Sequence, residues 1–79
     1  MPSESQTLAS LQVGASCIVS EIKVAPEQKA RLLEMGLLVG TLVELVRFAP
    51  LGDPVEIKVR GYHLTVRKHE AEQIWVRAQ

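Results

Sequence analysis

Apolar residues recur along this chain in two different periods, and the switch between them marks the element boundaries. Val55, Ile57 and Val59 alternate with Glu56, Lys58 and Arg60, and Leu64 and Val66 continue against His63, Thr65 and Arg67. A period of two is that of a strand with one covered face, so residues 55 to 60 and 62 to 67 are predicted to form a hairpin reversing at Gly61 and Tyr62. From Ser16 to Lys23 apolar residues occupy both phases, Ile18 and Ile22 on one, Cys17 and Val19 on the other. That suits a mostly buried strand passing between two covered surfaces. In residues 41 to 48 the apolar positions change face part-way, which a bulge reconciles. Residues 74 to 77 read as a short last strand, with Trp75 on the phase opposite Ile74 and Val76.

Between the first two of these strands the period changes. Ala25 to Gly36 reads as a short helix with Pro26 in its first turn, where the missing N–H is no loss, and Gly36 at its end, where a left-handed residue stops the helix. Residues 68 to 73 suit one further helical turn. Thr7 to Leu11 suits a capped turn, with Thr7 as the capping residue and Leu8 and Leu11 facing one way. The polar residues 1 to 6 read as a loose tail before a domain spanning 7 to 77.

Five short strands and one or two short helices within 79 residues cannot cover a flat sheet on both sides. Closing the sheet into a small SH3-like barrel removes most of the exposed edge, and this mainly β, single-domain fold is the expected one. Nine Lys and Arg balance nine Asp and Glu, so the chain lacks the basic footprint of a nucleic-acid binder. No apolar run approaches the ~20 residues of a membrane span, and the single cysteine has no internal partner, so a soluble cytoplasmic protein is expected.

The helix carries more apolar surface than one core contact uses. Ala30, Leu32, Leu33 and Met35 span an arc of roughly 220°, against about 100° for a core stripe. Packing of Leu32 and Met35 inward, with Leu33 over a neighbouring loop and the Lys29 stem laid across them, accounts for part of this. The alternative leaves part of the helix, Leu33 and Met35 included, and the following Leu37, Leu38 and Val39 as a groove for a partner. Phe48, Pro50 and Leu51 lie at or beside a turn-rich loop at 49 to 54, and Phe48 and Leu51 join that candidate surface if contiguous with it. Arg31 and Glu34, on the polar side of the helix, are candidates for orienting a partner. The same excess of apolar surface is a reason to expect self-association.

Candidates for chemistry are few. Cys17, His63 and His69 are the strong soft or borderline metal ligands, and their spacing matches neither a zinc site nor a two-histidine helical motif. No metal, cofactor or catalytic residue is assigned. The chain has no phosphate-binding loop ending in Gly-Lys-Ser/Thr and no evident nucleophile with a base, so an enzyme is not expected.

The ordered set Leu8 through Gly14, Arg31-Leu-Leu-Glu-Met-Gly36, Gly40-Thr41, the 49 to 54 loop, Gly61-Tyr62 and Arg67-Lys68 resembles the ferrous iron transport protein A (FeoA) family. The resemblance covers residues 7 to 77. It implies an SH3-like barrel, a cytosolic accessory role in ferrous iron uptake without iron carriage, and one partner: the FeoB-type membrane permease with its cytosolic GTPase domain. The helix and the apolar residues after it are the surface expected to dock on a cytosolic part of that permease. The competing reading is a free-standing SH3-like interaction module, related to the C-terminal domain of metal-dependent transcriptional repressors. It lacks support from any helix-turn-helix or basic recognition helix in this chain.

Overall fold

The computed structural model describes residues 6–78. Strands β1 (Gln6–Thr7), β2 (Ser16–Ile22), β3 (Leu42–Phe48), β4 (Val55–Val59), β5 (Tyr62–Val66) and β6 (Ile74–Ala78) are accompanied by α1 (Pro26–Glu34), α2 (Lys68–Ala71) and a 3-10 turn at Leu8–Ser10. All pairings are antiparallel and the sheet order is β1-β6-β2-β3-β4-β5. This is a small SH3-like fold. Among the described residues β1 and β5 are the two edges of the sheet and do not pair with each other.

The hairpin forms as its alternation predicts, but it reverses at Arg60 and Gly61, and Tyr62 already belongs to β5. Val55, Ile57, Val59 and Val66 are buried while Lys58, His63 and Thr65 face outward. Arg60 and Gly61 both have positive φ, 53° and 90°, the backbone of a two-residue type I′ turn, whose twist matches that of the flanking strands. The bulge expected in residues 41 to 48 lies between Leu45 and Arg47, where the register to β4 shifts. Strand β2 carries a second bulge, between Val19 and Glu21 on its β6 side, which the sequence pattern did not signal. Ile18 is half-buried rather than enclosed, so β2 is covered fully on one face only.

Two details at the N-terminal end differ from expectation. Gln6 and Thr7 pair with Val76 and Trp75, giving a sixth strand where the sequence suggested a tail and a cap; residues 1 to 5 of that expected tail lie outside the described residues. Thr7 makes no side-chain cap. Instead the Ser10 hydroxyl donates to the Thr7 carbonyl at 2.7 Å. Leu8 and Leu11 do turn the same way, into a core shared with Val19, Leu32, Leu45, Ile57 and Ile74. Trp75 is half-buried, with the Lys23 ammonium 5.4 Å from its ring centroid, a cation–π arrangement that shields one face of the indole.

Candidate functional site

The C-terminal end of α1 is built by one backbone device. Gly36, at φ 95°, donates its N–H to the Leu33 carbonyl, and Leu37 donates to the Leu32 carbonyl, both at 3.0 Å. This nested pair is a Schellman motif, which turns the residue after the glycine back against the helix. Leu32 and Leu37 are accordingly both fully buried. The motif overturns one expectation: Leu37 belongs to the core and offers no area to a partner. The Tyr62 hydroxyl, from the start of β5, donates to the Met35 carbonyl and so satisfies one of the carbonyls left over at the helix end.

Beyond the motif the chain makes a tight turn pinned to β2. Thr41 donates its N–H to the Leu38 carbonyl at 3.0 Å, Gly40 donates to the Val19 carbonyl at 2.7 Å, and Val19 donates to the Thr41 carbonyl at 2.9 Å. The buried Thr41 hydroxyl accepts from the Leu38 N–H at 3.2 Å. With both ends of the turn fixed, its apolar side chains point outward: Leu38 is 39% exposed and Val39 61%, and Leu33 on the preceding helix is also 39% exposed. Leu42, at the start of β3, is exposed too. Met35 and Phe48 are half-buried and pack against the core, so their role is chiefly structural. Leu51, 94% exposed, sits on a different loop. Leu33, Leu38 and Val39 therefore form the exposed part of the expected surface.

The polar side of α1 faces α2. Arg31 donates to Glu70 Oε2 at 2.5 Å, and the Glu70 side chain is only 2% exposed against 49% for Arg31. The other Glu70 oxygen accepts the Arg67 N–H at 3.1 Å, and Asp53, from the 49 to 54 loop, accepts the Lys68 N–H at 3.0 Å. Both donors are unsatisfied backbone groups at the start of a helix, and each acid holds one of them. Arg31 thus has a structural partner, whereas Glu34 is exposed.

The three candidate metal ligands are not brought together. Cys17 is buried in the core, and burial pushes its thiol pKa up. His63 Nδ1 lies 3.0 Å from Glu56 Oε2 on the outer face of the hairpin, and Arg47 holds the other Glu56 oxygen at 3.0 Å. His69 Nε2 lies 3.4 Å from the Gln28 amide nitrogen. Among the described residues no cluster of three or more His, Cys, Asp or Glu side chains has metal-binding geometry.

A family model described as the FeoA domain matches residues 6–78, which include both the helix-end turn and the α2 junction. The chain belongs to the FeoA domain family. The Fe(2+) transport protein A/Fe(2+) transporter FeoB fusion protein of Porphyromonas gingivalis is 30% identical over 69 residues, spanning 87% of this chain but only 8% of that protein. The solution structure of the FeoA protein from Chlorobium tepidum superposes with a TM-score of 0.89 at 38% identity, over 92% of this chain and 70% of that one. A manganese-dependent transcriptional repressor matches 100% of this chain and 44% of its own with a TM-score of 0.89. At 12% identity it shares the fold alone. No helix among the described residues of this FeoA domain is long and apolar enough to cross a membrane.

Two residues of the site were not singled out from sequence: Glu70 and Asp53. Glu70 carried a signal, an acid three positions after the residue that precedes a helix, which is the spacing at which a carboxylate reaches back to the helix start. Asp53 carried none, because its role depends on where the 49 to 54 loop lands.

Proposed function

We propose that this protein is a cytosolic accessory of ferrous iron uptake that docks on an FeoB-type membrane permease and biases its nucleotide state or assembly. The observation that carries this reading is the fused relative, whose name joins an Fe(2+) transport protein A to an FeoB transporter in one polypeptide. Fusion holds two modules at an effective concentration of about millimolar, an arrangement useful when the modules must meet. The proposed docking surface is the outward side of the helix-end turn, with Leu33, Leu38 and Val39 supplying apolar area and Glu34 setting orientation.

A docking protein changes a partner's equilibrium only by binding one state more tightly than the other. Calorimetric titration into the full-length permease in detergent, with and without GTP, tests this. Saturable binding that changes with nucleotide, and that is lost in Leu38→Asp, is expected. Absence of binding in both nucleotide states would overturn the proposal. Tighter binding to a proline-rich peptide than to the permease would favour a free-standing SH3-like interaction module instead.

A further inference from the structure

We propose that the free edge of β5 is a docking strand for an extended acidic segment of a partner protein. In a two-residue type I′ hairpin the residues flanking the turn form a hydrogen-bonded pair, here Val59 and Tyr62. The alternation then makes Ile57 with Leu64 and Val55 with Val66 bonded pairs as well, and leaves Lys58 with His63 and Glu56 with Thr65 unbonded. The N–H and C=O groups of His63 and Thr65 consequently point away from β4. No strand lies beyond β5 among the described residues, so these groups form a row of donors and acceptors of the kind that accepts an added strand.

Charge around this edge selects the occupant. Residues 47 to 68 carry Arg47, Lys58, Arg60, Arg67 and Lys68 against Asp53 and Glu56. Both acids are engaged within the fold, Glu56 by Arg47 and His63 and Asp53 by the Lys68 N–H. Lys58 and Arg60 have no ion-pair partner among the described residues. Beside the edge lies a shallow depression of about 310 Å³ lined by Arg31, Pro54, Thr65, Val66, Arg67 and Glu70, whose carboxylate is buried and already held by Arg31 and the Arg67 N–H. Arg67 is 4.0 Å from Asp53, beyond hydrogen-bond distance, and Arg31 uses one nitrogen on Glu70. Each guanidinium carries five donors, so both keep several for a carboxylate. A second copy of this chain would bring the same cations to the same edge, and like charges facing across paired strands are unfavourable. An acidic strand meets both requirements, backbone pairing along His63 and Thr65 and a carboxylate between Arg31 and Arg67. This surface shares no residue with the apolar turn proposed for the permease, so the two readings stand or fall independently.

The test is an amide-resolved NMR titration of the whole chain with a capped peptide of alternating Glu and Val, with a Lys and Val peptide as control. Saturable shifts at the His63 and Thr65 amides, with slowed hydrogen exchange there, are expected for the acidic peptide only. Thr65→Pro removes an outward N–H without touching the β4 ladder, since proline is tolerated on an edge strand, and should weaken binding at least about tenfold. Arg67→Glu, with its fold checked by an unchanged amide spectrum away from α2, should weaken it about tenfold or more. The inference is overturned if millimolar acidic peptide leaves these amides unmoved, if the basic peptide binds as well, or if Thr65→Pro and Arg67→Glu bind like the parent. Concentration-dependent shifts at the same amides without peptide would also overturn it, by seating a second copy on the edge.

Discussion

Arg31 on α1 and Glu70 on α2, 39 residues apart, meet at 2.5 Å with the carboxylate almost wholly buried and the guanidinium half in water. The asymmetry matters more than the contact. The exposed partner gains little from a surface ion pair, but a carboxylate left without its cation in the interior has lost a group it cannot replace with water.

Arg31→Ala should therefore destabilise by about 1 to 3 kcal/mol, since Glu70 keeps its bond from the Arg67 N–H. Glu70→Gln should cost less than Arg31→Ala, because a neutral amide is easier to bury unpaired than an ion. Urea denaturation of the two single variants and the double variant measures both costs and their coupling. Additive effects would show that the pair is not energetically linked.

Gly36 and Tyr62 make a second coupled pair. A Cβ on Gly36 would collide with the Tyr62 hydroxyl, and its φ of 95° is unfavourable for any L side chain. Gly36→Ala should cost about 2 kcal/mol or more, and Tyr62→Phe about 0.5 to 1.5 kcal/mol through the loss of the bond to the Met35 carbonyl. Removing the hydroxyl also removes the obstacle, so the double variant should lose less stability than the sum. Thermal melts of the three variants decide it.

Leu37 and Leu38 are neighbours with opposite fates. Leu37→Asp places a charge at a fully buried position and should cost at least about 4 kcal/mol, comparable with the roughly 4 to 12 kcal/mol that holds a domain of this size together. Leu38→Asp should stay within about 1 kcal/mol of the parent. Far-UV circular dichroism and denaturant titration separate the two, and a folded, cooperative Leu37→Asp would contradict the helix-end geometry.

Cys17 gives a pH dependence with a definite sign. Burial raises its thiol above the ordinary value of 9.0, so the folded protein keeps a proton that the unfolded chain releases. This contribution is fully present below that ordinary value and is lost as pH rises past it towards the folded pKa. Stability of the parent relative to Cys17→Ala should fall as pH rises above about 9. Alkylation of Cys17 in the native protein should likewise be slow at pH 8 and accelerate with denaturant.

Much of the fold was legible because it depends on local rules. Alternation at Val55 to Val66, the proline at the start of α1, the glycine at its end and the face change within β3 each report a backbone preference that neighbours in sequence enforce. The two-residue β1 was not legible, since its pairing with Val76 and Trp75 has no periodicity to announce it.

The candidate surface divided along the same line. The sequence by itself determined that the helix carries surplus apolar residues and stops at Gly36, because amphipathicity and left-handed φ are properties of a few adjacent positions. It could not determine which leucine after that stop is buried. Only the tertiary structure decided that Leu37 folds back to join Leu32 in the core while Leu38 and Val39 remain outside. It also decided that Glu70 is buried beneath Arg31 and that β5 keeps a free edge among the described residues. Each of these outcomes depends on where residues distant in the chain come to rest, and burial and strand pairing are settled by that meeting rather than by any local preference.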